Sequence, residues 1–434
     1  MRLQALARSL AYRNYRLFFA GQGISLIGTW MQQVALGWLV YDLTDSPFWL
    51  GVVGFSGQIP GFFIAPLAGV MSDRWNLRTT LLVTQCAAMF QAVALAVLDA
   101  TGTIAVWQIV PLNLVLGIVN GIDIPARQAF LVHMVERKED LPNAIALNSS
   151  IVNGTRLIGP AASGLLIALT GESVCFLLNA LSYLAVLWAL WAMRVAPRPA
   201  GGPREHVWQG LRSGLRYAFG FAPIREILLL LALVSLTAMP LSVLMPVFAQ
   251  SILHGGPETL GYLTGATGVG ALAAALYLAS RSTVLGLGRQ IGLAAAGLGL
   301  GMIGFSLSRH IGFSLGLLLL TGYCMMLGMA ASNTLLQTIV DEDKRGRVMG
   351  LYVTAFMGMA PLGSLLAGLL ADAVGAPAAV GICGLLCCAG GVTFALRLPA
   401  LRDLVRPIYA RMGIIPEIAT GIQISTQLRV PPEQ

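Results

Sequence analysis

The stretch that decides the fold runs from residue 47 to residue 78 and reads PFWLGVVGFSGQIPGFFIAPLAGVMSDRWNLR. Its apolar part ends at Met71 and is long enough to cross a bilayer as a helix, which needs about 20 such residues. A short polar segment with Arg74 and Arg78 follows it. Because this unit of apolar stretch and short polar connection recurs along the chain, the sequence predicts an all-α, polytopic membrane protein.

Twelve apolar stretches of this kind can be counted, and they define the expected spans. They lie near residues 17–41, 47–71, 80–100, 104–125, 143–169, 174–193, 226–250, 259–280, 290–307, 312–334, 348–371 and 378–396. Of all residues, 56% are hydrophobic and only 11% are charged, whereas soluble domains carry about 25% charged residues. The net charge of +8 does not indicate nucleic-acid binding, because the basic residues flank the spans.

The basic residues also predict the orientation of the chain. They fall on every second connection, beginning with the segment before the first span, while the other connections hold only Arg309. By the positive-inside rule, both termini face the cytoplasm, and we expect the protein in the cytoplasmic (inner) membrane, in contact with its lipids. The first apolar run is too long for a signal-peptide core, so we expect it to remain as the first helix.

The longest internal connection separates six spans from six and is rich in proline, glycine and arginine. We expect five segments: a basic cytoplasmic N-terminus (1–16), a first six-helix half (17–193), a central cytoplasmic loop (194–225), a second six-helix half (226–396) and a cytoplasmic tail (397–434). Similar segments lead into spans five and eleven, which indicates that the halves are parallel repeats. Such repeats place a substrate site at their interface near the bilayer midplane.

The connection after the second span resembles a signature of the major facilitator superfamily. Residues 69–78, GVMSDRWNLR, are similar to its G-x-x-x-D-R-x-G-R-R motif, although Asn76 and Leu77 replace a glycine and an arginine. The fifth span is similar to the antiporter members of that superfamily in Gly154, Gly159-Pro160 and Ser163-Gly164. Residues 123–129, 143–144 with 147–149, and 156–161 resemble the branch that includes the enterobactin exporter.

This resemblance implies a twelve-helix major facilitator fold and a latch between the halves at the cytoplasmic face. In the latch, Asp73 faces the positive N-terminal end of the eleventh helix, and Arg74 or Arg78 pairs with Asp123, which stabilises the outward-facing state. Solvated charges that only set topology are the alternative for Asp73 and Arg74. The residues expected in gating and the latch are Gly69, Asp73, Arg74, Arg78, Asp123, Arg127, Gly159 and Pro160.

Polar side chains inside the spans are candidates for a substrate pathway. Arg156 lies thirteen residues beyond Asn143, about 20 Å along a helix, and a charge at that depth usually faces a cavity. Tethering of neighbouring helices by the arginine and interhelical hydrogen bonding by the amides are the alternatives. The predicted pathway residues are Gln22, Ser25, Thr29, Gln32, Asn113, Asn120, Asn153, Arg156 and Tyr323.

The sequence therefore predicts a secondary active transporter that works by alternating access and exports a small amphipathic organic compound, such as a siderophore, drug or metabolite. We expect a monomer without cofactor, metal or nucleic-acid partner. Uptake by a symporter or uniporter of the same fold is the alternative, and a membrane sensor or enzyme is a remote one, since the histidines form no catalytic constellation. Proton antiport stays open, with Asp123 as the first candidate carrier and Asp73 as the second. Methionines in the second half, with Trp30, Trp38 and Tyr323, favour an amphipathic substrate.

Overall fold

The computed structural model describes residues 8–71, 75–193, 215–281, 283–412 and 414, and its regular elements there are helices. We number the long helices α1 to α12. Those of the first half are α1 (Arg13–Thr44), α2 (Pro47–Met71), α3 (Leu77–Ala100), α4 (Val106–Leu131), α5 (Leu141–Thr170) and α6 (Glu172–Ala192).

The second half contains α7 to α12. Their bounds are α7 (Ala222–Val243), α8 (Pro257–Ala279), α9 (Leu287–Leu307), α10 (Ile311–Ile339), α11 (Glu342–Val374) and α12 (Ala376–Arg411). Beyond Pro240, α7 is interrupted and continues as a short helix, Met245–Val247, and a π-helical turn, Phe248–Ile252. Pro246 accounts for the interruption, because it lacks the N–H that would bond to the backbone oxygen of Ser242 and its ring would clash with that carbonyl.

Eleven of these helices, α2 to α12, are long and apolar enough to cross a membrane by length and composition. Helix α1 is 32 residues long and contains Gln22, Gln32 and Gln33, and it is not among these eleven. The predicted all-helical, multi-span class is confirmed, whereas the count of twelve spans depends on α1. The predicted start of the tail at residue 397 falls inside α12, and residues 194–214 of the predicted central loop lie outside the described residues.

The two halves repeat one feature of their connections. Gly171 joins α5 to α6 with φ of 86°, and Gly375 joins α11 to α12 with φ of 84°. Side chains rarely allow this left-handed backbone conformation, so each turn requires glycine. Equivalent glycine turns in equivalent connections are what parallel repeats would produce.

The halves contact each other along two seams, where α2 packs against α11 and α5 packs against α8. A Cβ atom on Gly51 would lie 2.7 Å from the Cα of Gly368, and one on Gly164 would lie 2.9 Å from the Cα of Gly261. Small residues let membrane helices approach to backbone contact. At these two points the helices of the two halves therefore meet backbone to backbone.

The two sides of the molecule differ in how the halves meet. We call the side that carries the start of α1 and the end of α12 the basic face, and the other side the opposite face. Near the opposite face, one hydrophobic cluster combines Tyr41 of the first half with Leu244 of the second. Near the basic face, the described core residues form separate clusters, with Phe18 in the first half and Leu401 in the second. Core packing thus joins the halves near the opposite face, and among the described residues no hydrophobic cluster joins them near the basic face.

Candidate functional site

Arg156 lies on α5 at the interface between the halves. One turn further on, Gly159 packs against α1, where a Cβ atom would lie 2.5 Å from the Cβ of Trp30. On the adjoining side, Gly268 of α8 lies close enough that its Cβ would be 3.3 Å from the backbone oxygen of Arg156. Since α8 belongs to the second half, the Arg156 side chain leaves α5 between a helix of its own half and a helix of the other.

The Arg156 guanidinium lies over an aromatic ring. Its Cζ lies 5.6 Å from the centroid of the Trp30 ring, a distance at which a cation is attracted to the face of an indole. Among the described residues, no hydrogen bond or ion pair holds Arg156, and both it and Trp30 are only half-buried. The guanidinium therefore keeps its N–H donors available.

The remaining polar residues of α5 divide into two groups. Ser149 is exposed, and Asn153 is half-buried and donates from Nδ2 to the Ser149 backbone oxygen at 2.8 Å. Pro160 and Ser163 are buried, and Ser163 donates to the backbone oxygen of Met31 at 3.0 Å. Ser149 and Asn153 thus share the accessible side of α5 with Arg156, while Pro160 and Ser163 serve helix packing.

The polar stripe of α1 packs inside the first half. Gln32 donates from Nε2 to Oε1 of Gln91 on α3 at 3.0 Å and accepts at its own Oε1 from Nδ2 of Asn179 on α6 at 2.7 Å. Gln22, Ser25 and Gln32 are each 3% exposed, and Thr29 donates to the Ser25 backbone oxygen. The contacts of Gln32 favour interhelical hydrogen bonding, the alternative stated for such amides, over a place in the substrate pathway, whereas the Thr29 bond lies within α1.

Gln33, next in the chain, lies on the other side of α1 and is exposed. It follows Trp30 by one turn and precedes Gly37, whose Cβ would lie 3.5 Å from Pro246 of the second half. The set of predicted pathway residues did not include Gln33 or Trp30. The spacing of residues 30, 33 and 37, which places them on one helical face, is the signal that could have identified them.

Two of the predicted pathway residues lie on α4, and their surroundings differ. Asn113 is 8% exposed and donates from Nδ2 to the backbone oxygen of Val53 on α2 at 2.6 Å, so it joins two helices of the same half. Asn120 is half-buried. On one side of it, Gly117 packs against α2, and on the other side Asp123 contacts α3. Asn120 therefore stays a pathway candidate.

Asp123 is held within the first half near the basic face. Its Oδ1 accepts from Oγ1 of Thr84 and Nε2 of Gln85, each at 2.8 Å, and its Oδ2 lies 3.2 Å from Nη2 of Arg127. The side chain is buried, with 2% of Asp123 exposed. The pair with Arg127 has the spacing i, i+4, which the sequence alone contains.

The predicted partner of Asp123 has other contacts here. Arg78 donates from Nε to the backbone oxygen of Leu190 and from Nη2 to that of Trp191, both at 2.8 Å. An arginine near the last carbonyls of a helix satisfies acceptors that lack intrahelical partners, so Arg78 caps α6. Asp123 pairs here with Arg127 and not with Arg78, and its predicted pair with Arg74 stays a prediction. Of the other latch residues, Gly69 lies in the last turn of α2, and Asp73 and Arg74 lie outside the described residues.

Tyr323 of α10 packs within the second half. Its ring centroid lies 6.3 Å from that of Tyr277 on α8, whose hydroxyl accepts from Nε2 of Gln290 at 2.6 Å. Met325 and Met326 follow on α10 and are half-buried. Within the described part of the chain, no group of three or more His, Cys, Asp or Glu residues could hold a metal ion.

Comparison with known proteins also indicates that the chain is a transporter. A family model described as transmembrane secretion effector matches residues 5–410. The staphyloferrin A transporter of Staphylococcus aureus is 26% identical over 83% of this chain and 90% of its own length. The multidrug efflux pump Tap of Mycobacterium tuberculosis is 28% identical over 89% and 91%, and the class C tetracycline resistance protein of Escherichia coli is 24% identical over 79% and 83%.

Two solved structures illustrate the likeness of fold. A bacterial homologue of the human lysosomal transporter Spinster, in an inward-facing and occupied conformation, has a TM-score of 0.68 at 13% identity and covers 92% of this chain and 98% of its own. A bacterial homologue of the iron transporter ferroportin, in an inward-facing state, has a TM-score of 0.65 at 15% identity over 88% and 98%. At these identities the likeness shows the fold alone.

Proposed function

This chain belongs to the transmembrane secretion effector family of major facilitator transporters, and on that premise we propose that it exports a small amphipathic organic compound from the cytoplasm. It is a membrane transporter with the alternating-access fold and not an enzyme. The basic face carries almost all loop arginines, so we place that face, with both termini, in the cytoplasm. We also propose that one chain suffices, because its two halves enclose the central space.

One observation carries this proposal: the halves meet at the opposite face and separate into two hydrophobic clusters at the basic face. With the basic face in the cytoplasm, the central space is open to cytoplasmic compounds, and this is the state in which an exporter loads. Ser149, Asn153 and Arg156 line the accessible side of α5 along this opening. An amphipathic molecule entering from the cytoplasm would meet them before it reaches Trp30.

Uptake by the same fold is the competing function, because an importer releases its substrate in this conformation. Two observations favour export. The names of the relatives include a multidrug efflux pump and a tetracycline resistance protein. In addition, the Gly159-Pro160 pair, which resembles the antiporter pattern, packs tightly between Trp30 of α1 and Gly261 of α8.

Flux into and out of proteoliposomes tests the proposal. The purified protein is reconstituted, proton gradients of either sign are imposed, and the movement of lipophilic dyes, antibiotics and siderophores is followed for wild type, Arg156→Gln and Arg289→Gln. Arg289 is the matched control, because it is an exposed arginine at the basic end of α9. Extrusion that is lost in Arg156→Gln and kept in Arg289→Gln supports export through the Arg156 site. Net uptake would favour the importer, and the absence of flux for every compound would overturn the proposal.

A further inference from the structure

We propose that the exported compound is an organic anion, and that its carboxylate or comparable oxyanion binds the guanidinium of Arg156 beside the Trp30 ring. This inference rests on the proposed function, since it names the class of substrate that the same site would take. It follows from the charges at the interface between the halves, from the way Trp30 holds the guanidinium and from the groups that surround it.

The first argument concerns unpaired charge. A cation inside the hydrocarbon layer is costly unless it has a partner or water. Elsewhere the chain supplies such partners: Arg127 lies 3.2 Å from Asp123, and Arg397 lies 2.9 Å from Glu226, whose side chain is 11% exposed. Arg156 has no acidic partner among the described residues. A cation left open at an accessible interface is suited to a partner that arrives from solution.

The second argument concerns geometry. A cation over the face of an indole is attracted to the ring without forming a hydrogen bond, so the contact leaves the N–H groups of the guanidinium free. Those groups form a planar fork that binds both oxygens of a carboxylate at once, and such charge-assisted pairs are about twice as strong as neutral hydrogen bonds. The ring of Trp30, 5.6 Å from Cζ of Arg156, would thus orient the arginine without occupying its donors.

The third argument concerns the rest of the molecule that would be bound. Trp30 is half-buried, so part of its ring remains available for apolar contact, and Gln33 is exposed one turn away. Asn153 uses its Nδ2 on Ser149 and keeps its side-chain oxygen free to accept a hydrogen bond. The arrangement fits an amphipathic acid, with an oxyanion at Arg156 and an apolar or aromatic body along α1.

A matched ligand panel tests the inference independently of flux. Naphthyl and indolyl carboxylic acids are each compared with their own primary amides, and binding is measured as the rise in thermal stability of the purified protein, which grows with ligand concentration relative to Kd. We expect wild type to bind the acids about tenfold more tightly than the amides, the discrimination typical of a hydrogen bond to a charged group. Arg156→Gln should lose this preference, and Arg156→Lys should keep only part of it, because an ammonium lacks the fork.

Variants at Trp30 separate recognition from folding. Trp30→Phe keeps an aromatic face and should keep most of the preference for acids, whereas Trp30→Leu should weaken it. Equal binding of acids and amides by wild type, or binding of no acid at millimolar concentration, would overturn the inference while extrusion in proteoliposomes could still stand. A preference for acids that persists in a folded Arg156→Gln protein would overturn the assignment to Arg156. Loss of flux with the preference intact would instead count against export.

Discussion

Tyr41 and Ser251 join the two halves through a hydrogen bond of 2.7 Å between their hydroxyl oxygens. Tyr41 lies near the end of α1, and Ser251 lies in the π-helical turn that continues α7. One turn before Tyr41, Gly37 approaches Pro246 of the same segment. The bond therefore belongs to the contact that closes the opposite face, and it must break when that face opens.

Tyr41→Phe should shift the protein toward the conformation open at the opposite face. A hydrogen bond contributes about 1 kcal/mol net, so we expect roughly a fivefold change in the ratio of the two states. Spin-label distances between α1 and α7 would measure it. Thr44→Val is the control, because the Thr44 hydroxyl donates within α1 to the Val40 backbone oxygen. If Tyr41→Phe and Ser251→Ala shift the states additively, the two hydroxyls are not coupled and the bond does not hold the gate.

Gly164→Val should impair transport by forcing α5 away from α8. A Cβ at Gly164 would lie 2.7 Å from the Pro257 backbone oxygen, and backbone cannot move aside as a flexible side chain can. Gly154→Ala on the same helix is the control, because nothing lies within 4 Å of its Cβ position. Flux and the yield of folded protein are measured together. Normal flux in Gly164→Val would show that the close approach of these helices is dispensable.

Gln32→Leu should lower stability and leave ligand binding unchanged. The substitution deprives Gln91 and Asn179 of their partner within the buried interior of the first half, and interhelical hydrogen bonds in membranes contribute about 0.6 kcal/mol on average. Thermal unfolding and the acid-binding measurement are made on the same preparation. Lost binding at unchanged stability would return Gln32 to the substrate pathway.

Asp123→Asn should leave the dependence of flux on the pH gradient unchanged. Thr84 and Gln85 donate to Oδ1 and Arg127 lies 3.2 Å from Oδ2, so the carboxylate serves contacts within the first half. Stability should fall, because Arg127 would lose its acidic partner. Extrusion that no longer responds to the pH gradient in Asp123→Asn would restore this residue as the proton carrier, with Arg127→Gln showing whether the ion pair alone is responsible.

Membrane potential should drive export of the acidic panel members. Moving one elementary charge across 100 mV is worth about 2.3 kcal/mol, which corresponds to roughly a 50-fold concentration ratio. Potentials set by potassium and valinomycin at equal pH on both sides would test this, with the matched primary amides as neutral controls. Acid flux that does not change with the membrane potential would indicate that a compensating ion moves with each anion.

The spans were predictable from the sequence because the hydrocarbon layer imposes both their length and their lack of charge. The depth of Arg156 follows from its position along α5 in the same way and stays a prediction. The direction in which a polar side chain points around its helix axis was not predictable from the sequence. Gln32 and Gln33 are adjacent in sequence, yet one lies in a buried contact with α3 and α6 and the other is exposed. A polar stripe has the same period whether it faces a cavity or a neighbouring helix, so only the packing of the helices separates the two cases.

The contacts of the charged residues show the same difference between partners on one helix and partners that are distant in sequence. The pair of Asp123 and Arg127 follows from a spacing of four residues on one helix. The partners of Arg78 lie at the end of α6, more than a hundred residues away, and no periodicity within α3 identifies them. Resemblance to a family suggested Arg74 or Arg78 as the partner of Asp123, and Arg74 lies outside the described residues.

The glycine contacts at Gly51–Gly368 and Gly164–Gly261 lie on either side of the central space. Because backbone meets backbone at these two points, no side chain has to withdraw there when one half tilts against the other. The line through the two contacts can act as an axis of rotation between the halves. A small rotation about this axis widens the opening of the central space at one face of the molecule and narrows it at the other. Resistance to that rotation would then come from the gate around Tyr41 and from the bound compound, so the protein's turnover would be set at those two places.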